Sequence, residues 1–125
     1  MIAGEDHPEL IKYYTIPKYF TDDWMKKIKG APDLRWLYIG PKNTFSMLHV
    51  DVLSTSAWLA MFQGKKLWYF FPPNHSEFFE EKFRNHFYEP KLKKFKRYEA
   101  ISKKGDIVFT PFHWWHKGTS NSILI

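Results

Sequence analysis

The stretch Met47-Leu48-His49-Val50-Asp51 decides the interpretation of this chain, because it places an imidazole and a carboxylate two residues apart. Successive side chains of a β-strand point to opposite faces, so His49 and Asp51 would share one face while Val50 lies on the other. A neutral nitrogen and an anionic oxygen on one strand face are two ligands of the kind that divalent metals bind. The stretch therefore predicts one edge of a metal site.

A third ligand is predicted near the other end of the chain, in Trp114-Trp115-His116. His116 begins the last apolar segment, and it would complete the two-histidine, one-carboxylate set of non-haem Fe(II) oxygenases, which leaves metal positions open for co-substrate and oxygen. His113 competes for this role, but its strand parity differs from that of His116, so only one of them would point inward. A His-x-Asp tripeptide alone also fits a hydrogen-bonded structural pair, so the prediction depends on this context.

The composition indicates one packed, cysteine-free domain. With 125 residues, 44% of them hydrophobic and 20% aromatic, the chain is long and apolar enough to bury a core. Since cysteine is absent, any metal must be held by His, Asp or Glu. No signal segment is evident, and no apolar run approaches the roughly 18 residues of a membrane span, so we expect an intracellular protein of the nucleus or cytoplasm.

The net charge of +6 comes from 19 Lys and Arg against 13 Asp and Glu. Much of the excess lies in the basic run from Lys91 to Arg97 and in Lys103-Lys104. A basic run is typical of a solvated face, but it also permits contact with nucleic acid or with an acidic protein partner. The pattern does not indicate an oligomeric state.

Residues 1–33 are interpreted as a lead-in followed by one short helix. Thr21 resembles an N-cap, and Asp22 and Asp23 would lie in the first turn, where carboxylates favour the helix dipole. Gly30 would end the helix.

Residues 34–125 carry the pattern of a β-barrel core. Apolar and β-branched runs separated by Gly and Pro predict eight strands, at 35–39, 45–51, 56–63, 65–71, 98–102, 106–110, 116–120 and 122–125. Asn74 and Glu77 resemble a capping pair for a short helix across Phe78, Phe79 and Phe83. Many strands with short connections favour an all-β fold with short helices, organised as a barrel-like jelly roll.

Lys66 is a candidate anion-binding residue. It shares strand parity with Trp68 and Phe70, so its ammonium would be buried if those rings face the interior, and a buried cation needs an anion. The alternative is that this face meets solvent and Lys66 only extends its stem along it. The sequence leaves both orientations of Lys66 open. The remaining histidines, His7, His75 and His86, lie in turn or helix settings and are interpreted as surface residues.

Several motifs occurring in one order resemble the Jumonji C (JmjC) family of 2-oxoglutarate-dependent oxygenases, nearest the branch of the bifunctional arginine demethylase and lysyl-hydroxylase. The likeness covers most of the chain outside residues 90–97. It is carried by YTIPKYFTDD at 14–23, Arg35-Trp36, Gly40-Pro41, His49-Val50-Asp51, Thr55-Ser56-Ala57-Trp58, the block from Gly64-Lys65-Lys66 to Pro73, and Lys104-Gly105-Asp106 to His116.

The resemblance implies a cupin-type double-stranded β-helix that holds Fe(II) through His49, Asp51 and His116. It implies that Lys66 pairs with the distal carboxylate of 2-oxoglutarate and that Ser46 assists through its hydroxyl group. The reaction would consume O2 and 2-oxoglutarate, release succinate and hydroxylate a C–H bond of a protein side chain, with lysine or arginine as the expected substrate. Hydroxylation of an N-methyl group would release formaldehyde, which is a demethylation.

Two departures from the family pattern bear on this interpretation. Leu59 stands where that branch has an asparagine, and Ser46 has the opposite strand parity to His49, so its role requires a bulge between them. Two alternatives stay open: a tRNA-modifying hydroxylase of the same fold, which the basic run would suit, and a catalytically inactive metal-binding cupin module, which Leu59 would suit.

Overall fold

The fold consists mainly of antiparallel β-strands joined by short helices and turns. A computed structural model describes residues 2–3, 6–82 and 92–120. The chain divides into two units, Met1–Ile39 and Gly40–Ile125. In the first unit, strand β1 (Ile2–Ala3) pairs with strand β2 (Trp36–Leu37). Between them the chain forms three 3-10 helices, at Pro8–Tyr13, Lys18–Phe20 and Met25–Lys27.

The predicted helix after Thr21 is wrong, because the structure has only the single 3-10 turn at Met25–Lys27 there. The carboxylates that were expected to favour the helix dipole bind locally instead. Asp22 accepts the indole N–H of Trp24 at 3.0 Å, and Asp23 accepts the backbone N–H two residues further on at 3.1 Å. Such local bonds compete with a helix, and so short a segment gains too little from helical hydrogen bonds to overcome them.

Among the described residues, the second unit contains two antiparallel sheets. Four strands form the larger sheet: β3 (Phe45–His49), β5 (Lys65–Phe71), β6 (Tyr98–Lys103) and β8 (Trp115–Ser120), in the spatial order β3-β8-β5-β6. Strand β4 (Ala57–Ala60) pairs with strand β7 (Ile107–Thr110) in the smaller sheet. The predicted all-β fold with short helices is confirmed, and the strand predicted at 122–125 lies outside the described residues.

One face of the larger sheet packs on the hydrophobic core. Helix α1 (Ser76–Lys82) lies against it, with the Phe79 ring 5.3 Å from Phe71 and 5.5 Å from Trp115. The Trp115 indole N–H donates to the Ser76 hydroxyl at 2.9 Å, which fixes the start of the helix on the sheet. The helix predicted here is therefore present, although the predicted position Phe83 lies outside the described residues.

The interpretation of His75 as a surface residue is wrong. Its ring lies 5.1 Å from Phe95 and 6.0 Å from Phe79, and its Nε2 atom is buried. The turn that contains His75 packs on the aromatic core, and this contact was not visible in the local sequence. His7 is exposed, as predicted, and His86 lies outside the described residues.

The other face of the larger sheet carries the candidate site residues Ser46, His49 and His116. Because Trp115 is opposite Phe71 on the core face, the next pair, His116 and Phe70, points to the other face. The register of β3 against β8 is irregular: Ser46 is opposite Gly118, but His49 is opposite His116. Strand β3 therefore carries one extra residue, a bulge that places Ser46 and His49 on the same face.

Candidate metal centre

Three side chains converge beside the end of strand β3. His49 and His116 are cross-strand partners with ring centroids 4.2 Å apart. Asp51 lies two residues beyond His49 in extended backbone (φ −64°, ψ 152°), and its Oδ1 atom is 3.8 Å from His116 Nε2. One ligand atom from each residue lies within 4.8 Å of the others, and this is the single such cluster of His, Asp or Glu in the described part of the chain.

Backbone carbonyls orient both imidazole rings. His49 Nδ1 lies 2.5 Å from the carbonyl oxygen of Met47, and His116 Nδ1 lies 3.2 Å from that of Trp114. A carbonyl oxygen only accepts, so we assign the ring proton to Nδ1 in each case. Each Nε2 then keeps its lone pair for a metal ion, in the arrangement that fixes metal-binding histidines in proteins.

Burial controls the charges of this cluster. His116 is 5% exposed, and burial lowers its pKa to about 4, with further lowering from His49 and Lys66 and a partial opposing effect from the Trp114 carbonyl. Burial raises the pKa of Asp51, although His49 opposes this change. His116 is therefore neutral at pH 7, and the Asp51 carboxylate is held in an unfavourable environment.

The cluster fits a divalent cation. Asp51 Oδ2 is buried and makes no hydrogen bond to the described residues. A buried anionic oxygen without a partner is costly, and a bound cation would remove that cost. The donors, two imidazole nitrogens and one carboxylate on one side, match the ligand set of non-haem iron sites.

Lys66 lies on the same sheet face as His116. It is opposite Ser120 on one neighbouring strand and Ser102 on the other, and its ammonium nitrogen lies 4.0 Å from the centroid of the Trp68 ring. Burial lowers its pKa to about 8. Of the two orientations that the sequence left open, the structure has the inward one, and no carboxylate of the described chain forms an ion pair with Lys66.

Ser46 reaches this face through the bulge in β3. Its hydroxyl oxygen accepts the backbone N–H of Gly118 at 3.0 Å, so its own hydrogen is left to donate to an anion. The bend that its strand parity required is therefore present. Lys66 and Ser46 together offer a cation and a hydroxyl donor on the face that carries the two histidines.

His113 takes no part in the cluster. It precedes β8 in a turn, with φ of 60°, is exposed, and stacks on Phe112 with ring centroids 3.8 Å apart. Leu59 lies in β4 opposite Val108. The structure thus brings together His49, Asp51 and His116 and leaves His113 outside.

One residue that supports the site, Ser102, was missed in the sequence. The Trp68 indole N–H donates to the hydroxyl of Ser102, which is 2% exposed, at 2.8 Å. This bond holds the ring on which the Lys66 ammonium lies. Strand parity already placed Trp68 beside Lys66, but Ser102 could be found only from the pairing of β5 with β6.

The sequence of this chain also matches known proteins. The family model "JmjC domain, hydroxylase" matches residues 36–124. "Arginine-specific demethylase JMJ22" of Arabidopsis thaliana is 35% identical over 90% of this chain, and "2-oxoglutarate and iron-dependent oxygenase JMJD4" of Mus musculus is 31% identical over 87%. "Bifunctional arginine demethylase and lysyl-hydroxylase psr-1" of Caenorhabditis elegans is 28% identical over 86%.

The match covers a limited part of these relatives. This chain spans 26% of the Arabidopsis protein, 29% of the mouse protein and 32% of the nematode protein. This chain therefore spans less than a third of the length of each of these relatives. No helix among the described residues is long and apolar enough to cross a membrane.

Proposed function

Since this chain belongs to the JmjC family, we propose that it is an Fe(II)- and 2-oxoglutarate-dependent dioxygenase that hydroxylates a protein side chain. The fold is the cupin-type double-stranded β-helix of that family. The observation that carries the proposal is the convergence of His49, Asp51 and His116 within 4.8 Å on one sheet face.

The three ligands would hold Fe(II) through two Nε2 atoms and the Asp51 carboxylate. The metal would supply the redox chemistry that couples decarboxylation of 2-oxoglutarate to hydroxylation of a C–H bond, with O2 as oxidant and succinate as product. The Met47 and Trp114 carbonyls would hold the ring proton of each imidazole on Nδ1, so that each Nε2 presents its lone pair to the metal. Because the Asp51 carboxylate is buried and poorly solvated, a bound cation would stabilise its charged form.

The distal carboxylate of 2-oxoglutarate would bind between Lys66 and Ser46. The Lys66 ammonium is half-buried against Trp68, so an anion placed there would form a charge-assisted bond in a poorly solvated environment. The Ser46 hydroxyl, which already accepts the Gly118 N–H, would donate to the same carboxylate. Leu59 provides no polar group for the co-substrate.

The expected substrate is a lysine or arginine side chain of a protein. This expectation is supported by the relatives, whose names specify arginine demethylation and lysyl hydroxylation. Both reactions begin with attack on a C–H bond. Hydroxylation at a side-chain carbon gives a stable alcohol, whereas hydroxylation at an N-methyl group gives a hemiaminal that releases formaldehyde and leaves the amine.

The basic run gives less support to a nucleic-acid substrate. The Lys94 ammonium lies 5.0 Å from the Phe78 ring centroid, and Arg97 Nε donates to Glu99 at 2.8 Å, so both cations already contact this chain. Charge reversal at Lys93, Lys94 and Lys96 tests this alternative. Loss of turnover on a tRNA substrate in that variant would favour it over the protein substrate.

The main experiment is an anaerobic titration of the protein with Fe(II) and 2-oxoglutarate, followed by exposure to oxygen and a succinate assay. We expect stoichiometric iron binding and succinate formation that requires all three additions. His116→Ala should abolish both, and His113→Ala is the matched control that should abolish neither. Metal binding without any succinate would instead identify a catalytically inactive cupin module.

The substrate is then identified with lysine and arginine peptides, methylated and unmethylated. Mass spectrometry distinguishes the gain of one oxygen atom from the loss of a methyl group, and formaldehyde accompanies the second outcome only. Peptide-independent succinate formation with no change in any peptide would contradict the proposed substrate class.

A further inference from the structure

We propose that Gly118 is a positioning residue that sets the location of the Lys66 ammonium in the site. Gly118 lies in β8, which is flanked by β3 and β5 in the larger sheet. The consequence for co-substrate binding rests on the function proposed above, but the steric relation between the two residues does not.

Backbone conformation does not explain the glycine. The positive-φ glycines of the described chain are Gly30, Gly64 and Gly105, whereas Gly118 has ordinary strand geometry. Glycine inside a strand weakens it, and its presence there often marks a site where another group approaches the backbone closely. Close approach of another side chain to the Gly118 backbone would therefore explain the glycine.

Lys66 is the group that approaches. A Cβ atom built on Gly118 would lie 2.2 Å from Lys66 Cε, 3.2 Å from Lys66 Nζ and 3.2 Å from Trp68 Cε3. Two non-bonded carbon atoms cannot lie 2.2 Å apart, so a side chain at position 118 would force the flexible end of Lys66 to move aside. The end of the stem carries the ammonium onto the Trp68 ring, 4.0 Å from its centroid.

Gly118 also connects the two groups proposed to bind the distal carboxylate. Its backbone N–H donates to the Ser46 hydroxyl on one neighbouring strand, while its missing side chain admits the Lys66 stem from the other. The Trp68 ring under the ammonium is fixed by its bond to Ser102. A methyl group at position 118 would displace the ammonium from this ring and from the position where it meets the carboxylate.

The test is Gly118→Ala in three backgrounds: the natural sequence, Lys66→Ala and Lys66→Met. The first readout is the melting temperature of the metal-free protein, which needs no catalytic activity. We expect Gly118→Ala to lower it only slightly in the natural background and in Lys66→Met, which keeps an atom at the ε position, because the flexible end of either side chain can move aside. The fall should largely disappear in Lys66→Ala, because the colliding atoms are gone.

The second readout separates positioning from a merely structural effect. In the natural background, Gly118→Ala should raise the KM for 2-oxoglutarate about tenfold, the effect of losing one charge-assisted bond, with a much smaller change in kcat. It should leave Fe(II) affinity unchanged, because the three ligands lie on other residues.

Two results would overturn the proposal. The first is an equal fall in melting temperature with Lys66→Ala, which would mean that something other than the lysine stem excludes a side chain. The second is an unchanged KM for 2-oxoglutarate in an active Gly118→Ala enzyme. If the natural protein forms no succinate while the melting temperatures follow the expected pattern, the proposed function fails and the steric role of Gly118 stands.

Discussion

Replacement of Asp51 by asparagine should stabilise the metal-free protein and remove its response to metal. Asp51 Oδ2 is buried without a hydrogen bond to the described residues, and burial raises the pKa of the carboxyl group. The native fold therefore carries an unfavourable carboxylate that a bound cation would compensate. Asparagine has nearly the same shape and no charge. Asp51→Asn should therefore remove most of the free-energy cost of burying the carboxylate, and it should also remove the anionic metal ligand.

The expected size follows from two general magnitudes. An unsatisfied buried polar group costs about 1–3 kcal/mol, and the amide keeps part of this cost, so we expect a gain of about 1 kcal/mol. For a domain of this length, that corresponds to a rise in melting temperature of about 4 °C. Metal at a hundred times its Kd should stabilise the natural protein by about 2.7 kcal/mol, or about 10 °C.

The assay is thermal unfolding at pH 7 with and without Mn²⁺, which replaces Fe²⁺ without redox chemistry. Asp51→Asn should melt above the natural protein without metal and below it with metal. Asp106→Asn is the matched control and should keep the full metal response, since that carboxylate accepts the Lys103 N–H at 2.9 Å and belongs to no metal cluster. A metal-free Asp51→Asn protein that melts lower than the natural protein would show that the Asp51 carboxylate is not destabilising, and one that still responds to Mn²⁺ would show that this carboxylate is not a ligand.

Acid should remove the difference between the two metal-free proteins. Because the pKa of Asp51 is raised in the folded state, folding takes up a proton as pH falls through the interval between the unfolded and folded values. The cost of the carboxylate is thus fully present above the folded pKa, declines as the pH falls through this interval, and is absent below the unfolded pKa. Melting temperatures of the natural protein and Asp51→Asn should converge on acidification, and a constant difference at all pH values would contradict this account.

Three further predictions concern Lys66 and the histidines. Lys66→Met should raise the KM for 2-oxoglutarate about tenfold or more and retain iron, so an unaltered KM would argue against its role. His116→Ala should lose metal binding in a Mn²⁺ titration and His113→Ala should keep it, and the reverse result would assign the ligand to His113. Since burial lowers the pKa of Lys66 to about 8 from its usual value of 10.5, the affinity for 2-oxoglutarate should be greatest below pH 8 and fall above it. Between about pH 8 and pH 10.5 the contribution of Lys66 to the stability of the metal-free protein should rise with pH, because the unfolded chain binds more protons there. Lys66→Arg should abolish both the pH dependence of 2-oxoglutarate affinity and this pH dependence of stability.

Local pattern alone predicted the two-ligand stretch of the candidate site. His49 and Asp51 share a face because strand side chains alternate, and His116 was selected over His113 by parity and position. The structure brings the three residues together, and His113 lies outside in a turn with positive φ. Strand patterns likewise predicted the all-β fold, because apolar alternation is a local property.

Residue propensities gave a wrong prediction where local hydrogen bonds compete with helix formation, and also where contacts with distant residues bury a side chain. The helix expected after Thr21 has the right cap and charges, yet Asp22 and Asp23 bind their own neighbours and the segment forms only a 3-10 turn. His75 was misjudged for the opposite reason, because its burial comes from Phe79 and Phe95, further along the chain.

Residue types and their alternation along the chain were enough to predict the metal ligands, the all-β fold, and the shared face of Lys66, Trp68 and Phe70. Contacts between strands set what the sequence did not reveal: the bulge that turns Ser46 onto the face of His49, and the inward path of Lys66 across Gly118. The physical reason is that alternation follows from covalent geometry within one strand. Register depends instead on hydrogen bonds and close contacts between residues that are distant in sequence.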